Sequence, residues 1–326
     1  MSKGATMKRI IYFCPKVSLP YGGIKVIHRH SQIINEIGGQ SCVYYHAGEN
    51  TGKIDWFHHN AEIKRDSVFD PSNDFVILPE CWIMDSWKLL KNGNTEYGIF
   101  IQAPYQVRHG INENEIEECY ENAKFLICIS EDVVNCVFQF FPAHVHKIIR
   151  VSTSVNTSLF RIGSKENIIT YMPRKMAHHS ELLIPVLRSK LPETWRIVAI
   201  DNMSEVGVAE VLTSSQIFLA FVDLEGLGLP PIEAALSGNF VIGYTGQGGK
   251  EYWNRPIFNE IQTGDISGFL DATLNKVQEI EKYDLKIGEN HLSFLKKLYS
   301  LEMEENLLKM MIQRIHGKPE RKILLR

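Results

Sequence analysis

The chain has 326 residues, 44% of them apolar and 22% charged, with a formal net charge of −3. That length supports two domains of ordinary size, and the composition is that of a soluble globular protein. A slight acidic balance argues against a nucleic-acid binder, which would carry a strong basic excess, and the sequence has no apolar run long enough to span a bilayer.

The opening residues, Met1-Ser-Lys-Gly-Ala-Thr-Met-Lys-Arg9, lead straight into a strand instead of a signal-peptide core, so the expected location is cytoplasmic. Six cysteines, Cys14, Cys42, Cys81, Cys119, Cys128 and Cys136, fall in the first half without a C-x-x-C pair. They read as buried free thiols, with neither a disulfide framework nor a zinc site indicated.

Arg9 to Cys14 reads as the first strand, and Pro15 to Gly23 as a loop that ends in the pair Gly22-Gly23. Ile24, Ile27, Ile34 and Ile37 then recur at helical spacing until Gly38-Gly39 ends the element. A glycine pair between a first strand and its helix lets the backbone approach a phosphate or a sugar. Further strands are expected at residues 41–45, 75–78, 97–101 and 124–129. Strands alternating with helices imply a mostly parallel sheet covered on both faces.

Residues 55 to 70, with Trp56, Phe57, His58, His59, Lys64 and Arg65, read as an acceptor-side excursion or a surface loop. Cys81 to Lys91 forms an amphipathic helix whose apolar stripe faces either the core or a membrane surface. Ser130 is placed to cap the following helix, with acids in its first turn.

In the second half, Asn167 to Met172 reads as a strand followed by Pro173-Arg174-Lys175, Ile197 to Ile200 as the next strand, and Val206 to Thr213 as a helix. Gln216 to Phe221 and Asn239 to Tyr244 are short apolar strands around Glu225-Gly-Leu-Gly-Leu-Pro-Pro-Ile-Glu233. Pro230 and Pro231 suit the first turn of a helix, and Gly238 suits its left-handed end. Gly226 and Gly228 therefore lie ahead of a helix N-terminus, where free amides and the macrodipole favour an anion such as phosphate. Glu225 and Glu233 would be repelled by that anion, so each is suited to accept hydrogen bonds from neutral hydroxyls beside it. Phosphate between hydroxyls describes a nucleotide-sugar. A helical rhythm from Leu292 to Ile312 and a basic tail complete the chain.

The two glutamates eight apart enclosing G-x-G-L-P resemble the signature of retaining glycosyltransferases with the GT-B fold, the family of sucrose synthases and bacterial mannosyltransferases. The resemblance implies an α/β chain of two Rossmann-like domains with a cleft between them, an acceptor-side domain at 1–155 and a donor-side domain at 156–290. It also implies a C-terminal helix at 291–316 that crosses back to the first domain, with the tail at 317–326. Val155, Asn156 and Phe160 match the family's interdomain segment, while Thr153-Ser154 stands for its Asn-Gly.

By the same resemblance, Glu225 contacts the donor sugar, Gly226, Leu227, Gly228 and Leu229 hold the diphosphate and sugar, Glu233 holds the ribose, and Gly22 and Gly23 face the donor from the N-terminal side. Arg174 occupies the position of a family arginine that clamps the diphosphate. The partner lysine is replaced by His179, so the second charge falls to Lys175, to a protonated His179, or is missing.

The implied reaction is metal-independent, retaining transfer of a sugar from a nucleotide-sugar to a hydroxyl of a glycan or lipid-linked glycan, with Arg174 and Glu225 as catalytic residues. Peripheral contact with the inner membrane face is the alternative that the Cys81 to Lys91 stripe leaves open. Asp223-Leu-Glu225 resembles a D-x-D metal motif, but the surrounding glycine loop argues against that role. Alternatives are a GT-B epimerase or phosphorylase, or a non-catalytic glycan-binding or accessory subunit of the same fold.

Overall fold

The computed structural model describes residues 7–15, 21–45, 56–65, 69–91, 93–107 and 113–317. Parts of the loops read at 15–23 and 55–70, and the basic tail beyond Gly317, lie outside them. The chain divides into two compact units, Met1–Thr153 with Leu301–Arg326, and Ser154–Ser300.

The first unit is built on strands β1 (Arg9–Phe13), β2 (Ser41–Tyr44), β3 (Ile63–Lys64), β4 (Asp74–Pro79), β5 (Glu96–Ile101), β6 (Phe125–Cys128) and β7 (Ile148–Arg150), in the order β3-β2-β1-β4-β5-β6-β7. Every pairing is parallel, with Ile10 opposite Ser41 on one side and Phe75 on the other. Helices α1 (Gly22–Glu36), α2 (Ile83–Leu90), α3 (Glu113–Asn122) and α4 (Glu131–Phe140) connect them. Covering both faces of a parallel sheet explains why its central strands are unbroken apolar runs rather than alternating ones. Ile10 to Phe13 and Phe75 to Leu78 are all buried. The one acid buried in β4, Asp74, is held bidentately by Arg9 at 3.0 Å through both oxygens.

The second unit contains β8 (Ile168–Tyr171), β9 (Arg196–Ala199), β10 (Ile217–Ala220), β11 (Phe240–Gly243) and β12 (Phe258–Glu260), again all parallel, in the order β12-β11-β10-β8-β9. Helices α5 (Ala177–Lys190), α6 (Glu205–Ser214), α7 (Leu229–Leu236), α8 (Ile266–Tyr283) and α9 (Glu289–Leu298) belong to it. The final helix, α10 (Leu301–Ile315), belongs to the first unit.

Several sequence expectations change in detail. The helical rhythm read as one segment over 291–316 is two helices, because the chain leaves helical geometry at Tyr299 and Ser300. Only α10 joins the first unit, where it packs on α1 through the Arg29 to Glu304 ion pair at 2.9 Å. Ile63 and Lys64 in the expected loop pair with β2, while Phe57 and Ala61 are buried. In α2 the residues Ile83, Ser86, Trp87 and Leu90 are buried, so the apolar stripe of the expected amphipathic helix faces the core. Five cysteines are buried free thiols, whereas Cys81 is exposed. Among the described residues no helix is long and apolar enough to cross a membrane.

The C-terminal ends of α6 and α7 are tied together by two polar side chains, the half-buried Lys165 and the buried Asn239. Lys165 donates to the carbonyls of Leu212 (3.2 Å), Ser215 (2.7 Å) and Ser237 (2.6 Å), and the Asn239 amide donates to Leu212 (2.7 Å) and Ala234 (3.0 Å). These are the carbonyls that a helix end leaves without an intrahelical donor. Burial pushes the Lys165 amine down to about 7, and the three carbonyls oppose that by favouring the ammonium form. Replacing Lys165 by Met removes all three bonds at once and strands the carbonyls. The expected result is a loss of at least about 2 kcal/mol from the unfolding free energy, read from the denaturant midpoint, with secondary structure retained.

Candidate active site

In both sheets the strand order reverses beside the first strand of the unit, between β1 and β4 in one and between β8 and β10 in the other. In open parallel sheets ligands bind outside the carboxyl ends of the strands at such a reversal. In the second unit this brings together the loop after β8, with Arg174 and Lys175, and the loop after β10, with Glu225 to Gly228. Neighbouring strand ends place side chains from distant parts of the sequence on one edge.

The glycine loop is fixed from below. Tyr252, buried at 1% exposure, donates its hydroxyl to the carbonyls of Leu227 (3.1 Å) and Gly228 (2.8 Å). A trans peptide is planar, with its N–H opposite its C=O, so the Gly228 and Leu229 amides point away from Tyr252. Gly228 adopts φ +79°, which an L side chain rarely takes, and leads into α7 with Pro230 and Pro231 in the first turn. Gly238 has φ +84° just past the helix, as its position predicts.

A second glycine loop holds the first from the side. The Glu225 amide donates to Gly246 O at 2.9 Å, and the Gly248 amide returns a bond to Glu225 O at 3.1 Å. The two loops lie so close that a Cβ on Gly248 would stand 2.2 Å from Gly226 O. The G-x-G-G sequence at 246–249 thus braces Glu225 through its backbone.

Two carboxylates and two cations meet at the strand ends. The Lys175 ammonium pairs with the Glu225 carboxylate, so one residue on each side of the β8/β10 reversal contributes to a single ion pair. Arg174 turns instead toward Asp201, with Nε 3.1 Å from its carboxylate. Lys175, Glu225, Gly228, Pro230 and Pro231 line a cavity whose floor is Phe218 to Val222 and whose wall includes Met172. Glu233 lies outside that lining and is buried in α7 at 7% exposure.

His179 stands in the first turn of α5 with Nδ1 3.0 Å from the Tyr244 hydroxyl. Burial and the adjoining His178 hold its pKa below the ordinary imidazole value, against the opposing charge of Asp223. At neutral pH it is an uncharged ring, and Lys175 is the cation paired with Glu225 beside the glycine loop. Gly22 and Gly23 open α1 in the other unit, where Gly23 O accepts from the Gln102 side chain at 3.3 Å. Sequence reasoning missed Tyr252, Tyr244 and Asp201. Their contacts are long-range, and the only local sign of any of them was an aromatic residue shortly after a glycine loop.

Among the described residues no group of three or more histidine, cysteine or acidic side chains could hold a metal ion, and Asp223 with Glu225 does not form such a group.

No family model matches the chain, and no curated protein matches it by sequence. Solved structures do match its fold. Sucrose-phosphate synthase from Thermosynechococcus elongatus superposes with a TM-score of 0.72 at 12% identity, over 95% of this chain and 99% of that one. A glycosyltransferase from Rickettsia africae gives 0.69 at 14%, over 94% and 98%. HepE of Anabaena, solved in complex with UDP-glucose, gives 0.66 at 9%, over 95% and 99%. The fold is GT-B, the two-sheet α/β architecture of these glycosyltransferases.

The contact between the two glycine loops yields a direct test. Gly248→Ala places a methyl against the backbone of Gly226 and Glu225, which cannot yield as a flexible side chain would. The variant is expected to lose about 1–3 kcal/mol of stability, the usual cost of overpacking, measured by thermal unfolding.

Proposed function

We propose that the chain is a glycosyltransferase that moves a sugar from a nucleotide-sugar to a hydroxyl of a glycan or lipid-linked glycan, with retained anomeric configuration and without a metal ion. The observation that carries this reading is the Lys175–Glu225 pair set against the glycine loop ahead of α7, at the strand reversal of a GT-B fold. HepE, with the same fold, binds UDP-glucose, which supports a uridine or similar nucleotide as the donor's leaving portion.

On this reading the diphosphate rests against the amides of Gly228 and Leu229, turned outward by Tyr252, and against the positive end of α7. Lys175 exchanges Glu225 for the diphosphate and stabilises the charge that builds on it as the sugar leaves. Glu225, released from the ammonium, accepts hydrogen bonds from the sugar hydroxyls. Arg174 is the second cation available, on exchanging Asp201 for the donor. Glu233 holds the ribose once its buried carboxylate is reached. His179 takes a neutral role, bonded to Tyr244, so the two clamping charges are Arg174 and Lys175.

A screen of UDP-glucose, ADP-glucose and GDP-mannose by thermal unfolding tests donor binding. At a hundred times its Kd, a true donor stabilises the fold by about 2.7 kcal/mol through mass action. Lys175→Ala and Arg174→Ala are each expected to fold normally and to lower turnover about a hundredfold or more, the loss typical of one positioned donor to a developing anion. Product analysis decides the outcome. Turnover of both variants at the unmodified rate, or sugar epimerised without an acceptor, would replace this reading.

A further inference from the structure

The first unit has its own strand reversal, between β1 and β4, and a side chain stands there that the donor chemistry leaves unused. Glu80 is the first residue beyond β4 and is 3% exposed. Its Oε1 accepts the amides of Gln102 (3.0 Å) and Ala103 (2.5 Å) at the end of β5. Its Oε2, also buried, makes no well-aligned hydrogen bond among the described residues, and the nearby amides of Glu80 and Cys81 act on the carboxyl without closing one. A buried polar atom left without a partner typically costs about 1–3 kcal/mol.

The strand ends around it converge. The Gln102 side-chain amide donates to Gly23 O in the first turn of α1, and a Cβ on Gly23 would meet that amide at 3.1 Å. The carboxyl ends of β4 and β5 and the first turn of α1, which follows β1, are therefore joined by hydrogen bonds at the place where open parallel sheets take their ligands. Cys81, the next residue, is exposed, although burial raises its thiol's pKa.

We propose that Glu80 is an acceptor-binding residue whose Oε2 takes a sugar hydroxyl, with Gln102 and the backbone of Gly23 as neighbouring polar contacts. This assignment rests on the transferase reading and adds where the acceptor class is recognised. The chemistry selects a neutral hydroxyl. A phosphate or carboxylate would be repelled by the carboxylate form, and among the described residues the titratable groups acting on the adjoining Cys81 thiol are Glu80 itself and Cys14. Burial pushes the Glu80 carboxyl up to about 7 against the pull of the backbone amides, so near neutrality it both accepts and donates, as a hydroxyl does.

The test uses the full chain, the donor found by the thermal screen, and 4-nitrophenyl hexopyranosides as probe acceptors. At least one probe is expected to be glycosylated. Glu80→Gln keeps an oxygen for the Gln102 and Ala103 amides, so it should fold, while it replaces Oε2 by a group that only donates. Its KM for the probe is expected to rise at least about tenfold, equivalent to 1.4 kcal/mol, with donor stabilisation unchanged. Gln102→Ala, which also frees the Gly23 carbonyl, is expected to raise KM about threefold.

An unchanged KM in both variants overturns the assignment, as does a wild-type chain that is stabilised by donor yet glycosylates none of the probes. In either case the transferase reading stands on the donor result. If no nucleotide-sugar stabilises the chain, the transferase reading falls, and this assignment with it.

Discussion

A peptide group cannot offer its carbonyl and its amide to the same side, and the donor edge of the second unit depends on that constraint. Tyr252 takes the carbonyls of Leu227 and Gly228 inward. The amides of the next residues are thereby committed outward before any ligand arrives. The left-handed Gly228 and the paired prolines then convert the loop into a helix with no side-chain cap over its first turn. Preorganisation of this kind matters because dipoles already oriented need not reorganise as charge develops.

The charges around this edge are paired with one another. Lys175 faces Glu225 and Arg174 faces Asp201, each pair partly exposed. Pairs of that exposure contribute little to stability, typically well under 1 kcal/mol. Their value lies in holding each cation at the strand ends without a large cost when it changes partner. An isolated ammonium would bind an anion more avidly but would stay unsatisfied at rest. The neutral His179, bonded to Tyr244, fits this economy by adding no third positive charge.

Much of the architecture is legible in the residues because a parallel sheet covered on both faces leaves so little freedom. The runs at 10–13, 75–78, 217–220 and 240–243 have no polar face to alternate with, and each forms a strand. Pro230, Pro231 and Gly238 mark α7 at both ends for local reasons, so its bounds could be read. The two-residue strand β3 and the strand β12 could not, since each is too short for a pattern and exists through pairing with a neighbour. The break at Tyr299 and Ser300 was hidden by a rhythm that continues on both sides of it. At the candidate site, residue types carried the glycine loop and Glu225. Which cation would meet that glutamate depended on the order of β8, β9 and β10, and no local pattern encodes strand order.

Lys165 has one more consequence. An amine attacks an acylating reagent through its lone pair, and an ammonium that donates all three of its hydrogens has none to offer. Here that half-buried amine is bonded to three carbonyls, so acylating reagents react with it only while the ends of α6 and α7 come apart. The rate at which such a reagent marks this single position therefore serves as a built-in clock for how often the helix carrying the glycine loop loosens.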